Sequence, residues 1–321
     1  MLSGVLFALA AGLLWGLIFI GPLLVPDYPA TLLSVGRYLA FGMIAVALAW
    51  HDRHRLKRLS RSDWLEAFRL TLVGNLLYYT CLSAAIQRTG APVSTMLIGT
   101  LPVVMTITSN LLYGREEGRL SWAKLMPALV LIVIGLLCVN VAELNGAAQA
   151  VAPWRYLSGI ALALCAVICW TWYPLRNARW LRAHPDKKPG TWATAQGVAT
   201  LPLALVGWLL VALMLNWTNP TFDLPFGPRP LVFIPLMLAI GLFCSWIGTL
   251  CWNEACQRLP TVLVGPLIVF ETLAGLAYTF MLRQSWPPFL TLAGIACLIT
   301  GVLIAIRIKP EPVVKPLDIS P

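Results

Sequence analysis

Ten stretches of this chain are each long and apolar enough to cross a bilayer, and the second five echo the first five. A helix needs about 20 apolar residues to cross about 30 Å of hydrocarbon. The pattern places spans near 3–25, 29–50, 66–87, 91–113, 124–142, 155–175, 192–215, 231–256, 260–282 and 287–307. A unit of five spans begins and ends on opposite sides of a membrane, so a second copy must lie upside down relative to the first. The expected fold is all-α and integral to the membrane. It has ten transmembrane helices as two inverted five-helix repeats, 1–150 and 151–310, with 311–321 as a disordered cytoplasmic tail. Inverted repeats are a transporter architecture, with the solute site near the midplane where the halves meet.

Composition narrows the class further. The chain is 59% hydrophobic and 11% charged, against about 25% charged in a soluble domain. The longest connections, 51–63 and 216–229, are too short to fold as an appended enzyme or nucleotide-binding module. A formal charge of +10 raises the question of nucleic acid. The placement of the charges answers it. Eighteen of the 23 Lys and Arg fall in loops or span ends on one side, if the N-terminus is on that side. Only Arg88, Arg155, Arg229 and Arg283 fall on the other, and Arg37 alone lies within a span. This is the positive-inside asymmetry, so both termini are expected in the cytoplasm of a multi-pass inner-membrane protein. The basic loops read as topology signals; membrane lipid is a partner and nucleic acid is not.

Residues 1–25 lack the positive n-region of a secretory signal, so they read as an uncleaved first helix. All eight Cys fall inside spans without a C-x-x-C, and the three His lie in loops. Neither pattern points to a metal or haem site, so no cofactor is expected.

The internal repeat can be followed residue by residue. Trp15 in the first span matches Trp170 in the sixth, and Arg37 in the second falls opposite Gln196 in the seventh. Ala-Ile-Gln-Arg at 85–88 matches Ala-Cys-Gln-Arg at 255–258, and the alignment beyond it pairs Pro102 with Glu271. Ser-Trp recurs at 121–122 and 285–286. Arg88 and Arg258 fall on opposite faces. They read either as helix caps that snorkel to headgroups or as gate elements related by the repeat.

With these residues in hand the chain resembles the drug/metabolite transporter superfamily, in its EamA branch. The resemblance rests on Trp15-Gly16, Arg37, the turn Gly90-Ala91-Pro92-Val93-Ser94-Thr95, Leu101-Pro102 and Gly114-Arg115-Glu116-Glu117. It spans residues 3–308. Trp252-Asn253-Glu254-Ala255 and the run Gly265 to Thr272 are similar to the bacterial aromatic amino acid exporters within that branch. Amino acid substrates and export are what this resemblance implies.

Glu271 is the most informative single residue. It is the only acidic residue near the middle of a span, where a charge costs about 2.5–3.5 kcal/mol on insertion scales. It can be protonated, pair with Arg37, or face a cavity and meet a substrate ammonium. Arg37 can also satisfy carbonyls at broken helix segments. Asn75, Tyr78 and Tyr79 in the third span, Trp170 and Tyr173 in the sixth, and Ser245, Thr249 and Trp252 in the eighth suit a cavity of rings and hydroxyls. Trp15, Ser94 and Pro102 complete the candidate lining. Helix packing is the bland alternative for each. Trp50, Trp64, Trp122, Trp154, Trp180 and Trp286 read as interfacial belt. Pro102, Pro174, Pro202 and Pro266 lie inside spans and read as kinks, with Pro102 and Pro266 as candidate hinges.

The leading reading is therefore a secondary transporter, functional as a monomer, that exports amino acids by alternating access. Coupling to protons and facilitated diffusion are both open, and no Walker A motif is present. The same fold with another metabolite or drug as cargo is the runner-up. A nucleotide sugar would want more basic residues in the pore than Arg37. A lipid-modifying membrane enzyme would need a cluster of catalytic groups at one depth, and a membrane scaffold would need no midplane ionisable pair.

Overall fold

The computed structural model describes residues 2–89, 97–114, 120–144, 153–284 and 286–309. Every regular element among them is helical. In chain order the main helices are α1 (Leu2–Gly16), α2 (Ala30–His51), α3 (Arg61–Thr71), α4 (Tyr78–Thr89), α5 (Leu101–Leu112) and α6 (Trp122–Leu144). They continue as α7 (Pro153–Ala183), α8 (Pro189–Thr218), α9 (Pro230–Ala239), α10 (Gly248–Arg258), α11 (Val269–Arg283) and α12 (Phe289–Arg307). Among the described residues, seven helices are long and apolar enough to cross a membrane, while Leu2–Gly16 and Leu101–Leu112 are shorter apolar helices. The expected tail at 311–321 lies outside the described residues.

Local chemistry sets the ends. Proline opens α7, α8 and α9, where its missing N–H has no intrahelical partner to lose. Ser60 and Asp63 form a reciprocal capping box on α3. Gln284, at φ 48°, closes α11 in the left-handed region. Two helices change pitch without ending. A π-helical stretch, Leu72–Leu77, joins α3 to α4, and another, Ile240–Ile247, joins α9 to α10. Such widened turns shift the register of the side chains that follow and recur at functional sites.

Helix pairing is regular. α1 packs on α10 and α11, and α7 packs on α4 and α5. α2 lies against α8, and α6 against α12. Numbered by the spans expected from the sequence, this is one on eight and nine, six on three and four, two on seven, and five on ten. The set maps onto itself when the first five spans are exchanged with the last five. The outward faces are apolar: Leu205, Leu209, Leu210 and Leu213 on α8 are each more than half exposed. A surface of that kind is a liability in water and a solvation shell in lipid.

Polar contacts between the two parts of the chain lie at both ends of the bundle. At one end Arg229 donates to the Asp27 carboxylate. Tyr28 donates its hydroxyl to the Phe226 carbonyl at 2.8 Å, while its ring stacks on Phe233. The hydrogen bond from Arg229 holds the Asp27 carboxyl below its ordinary range. The contact is thus complete above about pH 4 and is lost as pH falls through the lowered value. At the other end Arg176 grips the buried Glu66 with Nε at 2.5 Å, and Thr191 donates to Asp52.

One close helix crossing is made by glycine on both sides. A Cβ on Gly135 of α6 would lie 2.7 Å from the Gly294 carbonyl oxygen of α12, and one on Gly294 would lie 2.8 Å from that of Gly135. Small residues at such crossings let backbones touch. Gly135→Leu is expected to cost about 1–3 kcal/mol by overpacking, read as a lowered thermal unfolding midpoint in detergent. An unchanged midpoint would show that this crossing has slack.

Candidate functional site

The candidate residues fall into two groups. The first is an aromatic ladder between α4 and α7. Tyr78 stacks on Trp170 with centroids 4.6 Å apart, and Trp170 stacks on Tyr173 at 5.4 Å. Gly74, in the π-helical stretch, makes room for the ladder: a Cβ there would lie 2.5 Å from the Tyr173 ring. Tyr173 is buried and donates its hydroxyl to Gln196 Oε1 at 2.9 Å.

From Gln196 a polar network runs through the core. Gln196 Nε2 and Trp192 Nε1 both donate to Asn177 Oδ1 at 2.9 Å. Asn177 Nδ2 donates to Asn253 Oδ1 at 2.8 Å, and Asn253 Nδ2 reaches the Pro189 carbonyl at 3.3 Å. Asn177, Gln196 and Asn253 are all buried. Asn75 joins at the margin, donating to Thr200 Oγ1 at 3.4 Å. The network ties α7, α8 and α10 together behind the ladder.

The second group surrounds Arg37. Its Nε donates to Ser245 Oγ at 2.9 Å, 208 residues away, and its guanidinium lies 5.2 Å over the Tyr38 ring. Ser245 sits in the second π-helical stretch. Arg37 also lines a small cavity of about 60 Å³ with Ser34, Tyr79, Gly21, Met237 and Ile240 among its walls. Glu271 occupies the first turn of α11, just after the helix breaks at Ile268. The helix dipole at such an N-terminus favours a carboxylate. α1 lies directly against it: a Cβ on Gly12 would be 2.9 Å from the Glu271 backbone nitrogen. Glu271 is within electrostatic reach of Arg37. Among the described residues the two are neither hydrogen-bonded nor ion-paired, so the direct pairing open to the sequence is not made in this conformation. Trp15 and Trp252 pack together at 5.2 Å, apart from the ladder, and Trp15 leans on Gly248. Thr249 is buried on the same helix as Trp252.

Other expectations resolve as follows. Ser94 lies outside the described residues. Pro102 is not a kink inside a span. It sits in the first turn of α5, where it removes no intrahelical bond. Pro266 does fall at a break, in the short helix Val264–Leu267 that precedes α11. The short helix packs against the start of α5, since a Cβ on Gly265 would be 2.7 Å from the Pro102 carbonyl oxygen. Arg88 donates to the carbonyl of Ala84 in its own helix, as a capping residue does. Arg258 pairs with Glu254 one turn earlier and covers the Phe7 ring. Trp180 is not interfacial: it is buried and stacks on Trp192 at 3.5 Å, because that face of α7 turns inward toward α8. Asn177 escaped the sequence reading, although it stands one helical turn after Tyr173 and so shares its face.

Asn177 satisfies three partners at once, so its loss strands several buried groups. Asn177→Ala is expected to lower stability by about 1–3 kcal/mol for each group left unpaired. Asn75→Ala, which breaks one long bond, should cost clearly less. Thermal unfolding of both variants in detergent checks the order, and equal midpoints would dismiss the network as a stabilising element.

Comparison with known proteins agrees with this architecture. The chain is 63% identical over 320 residues to the inner membrane protein YtfF of Escherichia coli strain K12, covering 100% of this chain and 99% of that protein. It is 22% identical over 305 residues to the uncharacterized transporter YetK of Bacillus subtilis strain 168, covering 95% and 87%. A solved crystal structure of a protein 17% identical to it superposes with a TM-score of 0.69, covering 94% of this chain and 96% of that one, which is a likeness of fold. The sequence model of the EamA-like transporter family matches residues 2–141. Taken with the apolar helices, these likenesses make this a multi-pass membrane protein that belongs to the EamA-like transporter family.

Proposed function

We propose that this protein exports amino acids, aromatic or other neutral ones, across the inner membrane by alternating access. One observation carries the reading. The ladder Tyr78–Trp170–Tyr173 stands in the same bundle as one deep cation, Arg37, and one deep carboxylate, Glu271. Stacked rings suit a planar or bulky side chain, and two separate charges of opposite sign suit a zwitterion. The solute moves as the halves 1–150 and 151–310 rock about the site, and the pairing of helices supports two related halves. The contacts Asp27–Arg229 and Glu66–Arg176 join the halves at opposite ends, where a rocking motion would break one and keep the other. Both termini face the cytoplasm, and a monomer contains the whole pathway.

Counterflow of labelled tryptophan, phenylalanine, threonine and lysine in proteoliposomes tests the reading. Exchange driven by unlabelled substrate on the far side is expected, with the aromatic residues fastest. No exchange of any of the four by folded protein would move the cargo to another metabolite or a drug. Glu271→Gln is expected to slow counterflow by about tenfold or more, at about 1.4 kcal/mol per decade, with little change in the unfolding midpoint. Undiminished exchange by the folded variant would remove this carboxylate from the mechanism.

A further inference from the structure

Arg37 is held in an unusual way for a partly buried arginine within a span. A guanidinium carries five N–H donors in a planar fork. Here one of them, on Nε, is fixed by Ser245 Oγ at 2.9 Å. Among the described residues the two terminal nitrogens make no hydrogen bond, and no carboxylate is ion-paired with them. A structural arginine at this depth would be saturated by carbonyls or a counter-ion, because unmatched charged donors are expensive inside a protein. Its guanidinium also lies over the Tyr38 ring, which supplies no acceptor oxygen to the terminal nitrogens. The residue borders the cavity of about 60 Å³, whose walls include the Ser34 and Tyr79 side chains. In this measure one water needs about 10–15 Å³, so the space fits a few water-sized groups rather than a whole solute.

Fixing Nε also fixes the plane of the fork. The edge formed by the two terminal nitrogens then has one orientation, and its natural complement is a planar acceptor with two oxygens. We infer that Arg37 is the anchor for the solute's carboxylate, gripped end-on by the two terminal nitrogens, with Ser245 as the positioning residue. The inference rests on the amino acid reading and deepens it. One pole of the zwitterion is assigned to Arg37, which leaves Glu271 for the ammonium, and the aromatic ladder for the side chain. It also gives the second π-helical stretch a task, since the widened turn at Ile240–Ile247 is what carries Ser245.

Binding to the purified full chain in detergent, by calorimetry, tests this with four probes: phenylalanine, phenylalaninamide, 3-phenylpropionate and inorganic phosphate. The unaltered protein is expected to bind phenylalanine about tenfold or more tighter than its amide, the scale of a charge-assisted hydrogen bond, and to bind 3-phenylpropionate in a manner that requires Arg37. Arg37→Gln should abolish that preference, Arg37→Lys should keep part of it, and Ser245→Ala should weaken the acid more than the amide and so narrow their ratio. A purely structural Ser245 would move both affinities together. An amide that binds the unaltered protein as tightly as the acid overturns the anchor, whatever the variants do. So does tighter binding of phosphate than of either carboxylate, or a failure of both carboxylates to bind. The two readings fail separately. If 3-phenylpropionate binds through Arg37 but phenylalanine shows no counterflow, the anchor stands and amino acid export falls. If phenylalanine and its amide exchange equally well, export stands and the anchor falls.

Discussion

Hydrocarbon offers no partner to a buried polar group, so each such group in this bundle must find one in the protein or border a cavity. Most of the architecture follows from that requirement. Asn177 serves Gln196, Trp192 and Asn253 together. Asn110 both accepts from and donates to the backbone of Leu120. Thr106, Thr194 and Thr200 turn their hydroxyls back to carbonyls four residues earlier. The buried side-chain atoms left without a partner are few among the described residues: the Thr31 hydroxyl, the Thr171 hydroxyl and the Trp252 indole N–H. Thr171 adjoins Trp170, and Trp252 touches Trp15. Two of these three groups thus stand beside the candidate aromatic residues.

Departures from the regular helix serve the same region. The two π-helical stretches lie between α3 and α4 and between α9 and α10, segments whose ends carry the similar runs Ala-Ile-Gln-Arg and Ala-Cys-Gln-Arg. Each delivers a polar side chain to an inward contact, Asn75 to Thr200 and Ser245 to Arg37. The break before α11 gives Glu271 a helix N-terminus instead of a helix middle. This changes its electrostatic setting, since the first-turn N–H groups point toward it. Gly265 comes close to the Pro102 carbonyl, so the break before α11 lies against the start of α5.

Much of this was legible in the residues. The apolar runs, Trp15, Arg37 and Glu271 as deep landmarks, and the aromatic content of the sixth span could all be read along the chain. Other points could not. Trp180 looks interfacial by its place near a span end, yet it is core because α8 brings Trp192 against it. Pro102 looks like a kink by its position in an apolar run, yet it begins a helix. Asn177 looks like one polar residue among arginines, and only its neighbours on two other helices reveal it as a hub.

The sequence by itself determined which segments are apolar helices and where the rare charges fall along them. Those properties depend on length, hydropathy and spacing within one segment. The tertiary structure decided the partners. Arg37 and Ser245 are 208 residues apart, Asn177 and Asn253 are 76 apart, and Glu66 and Arg176 are 110 apart. No local pattern specifies such pairs. They exist because close helix crossings and widened turns rotate particular faces toward one another, and because a group that missed its partner there would carry the cost of its desolvation.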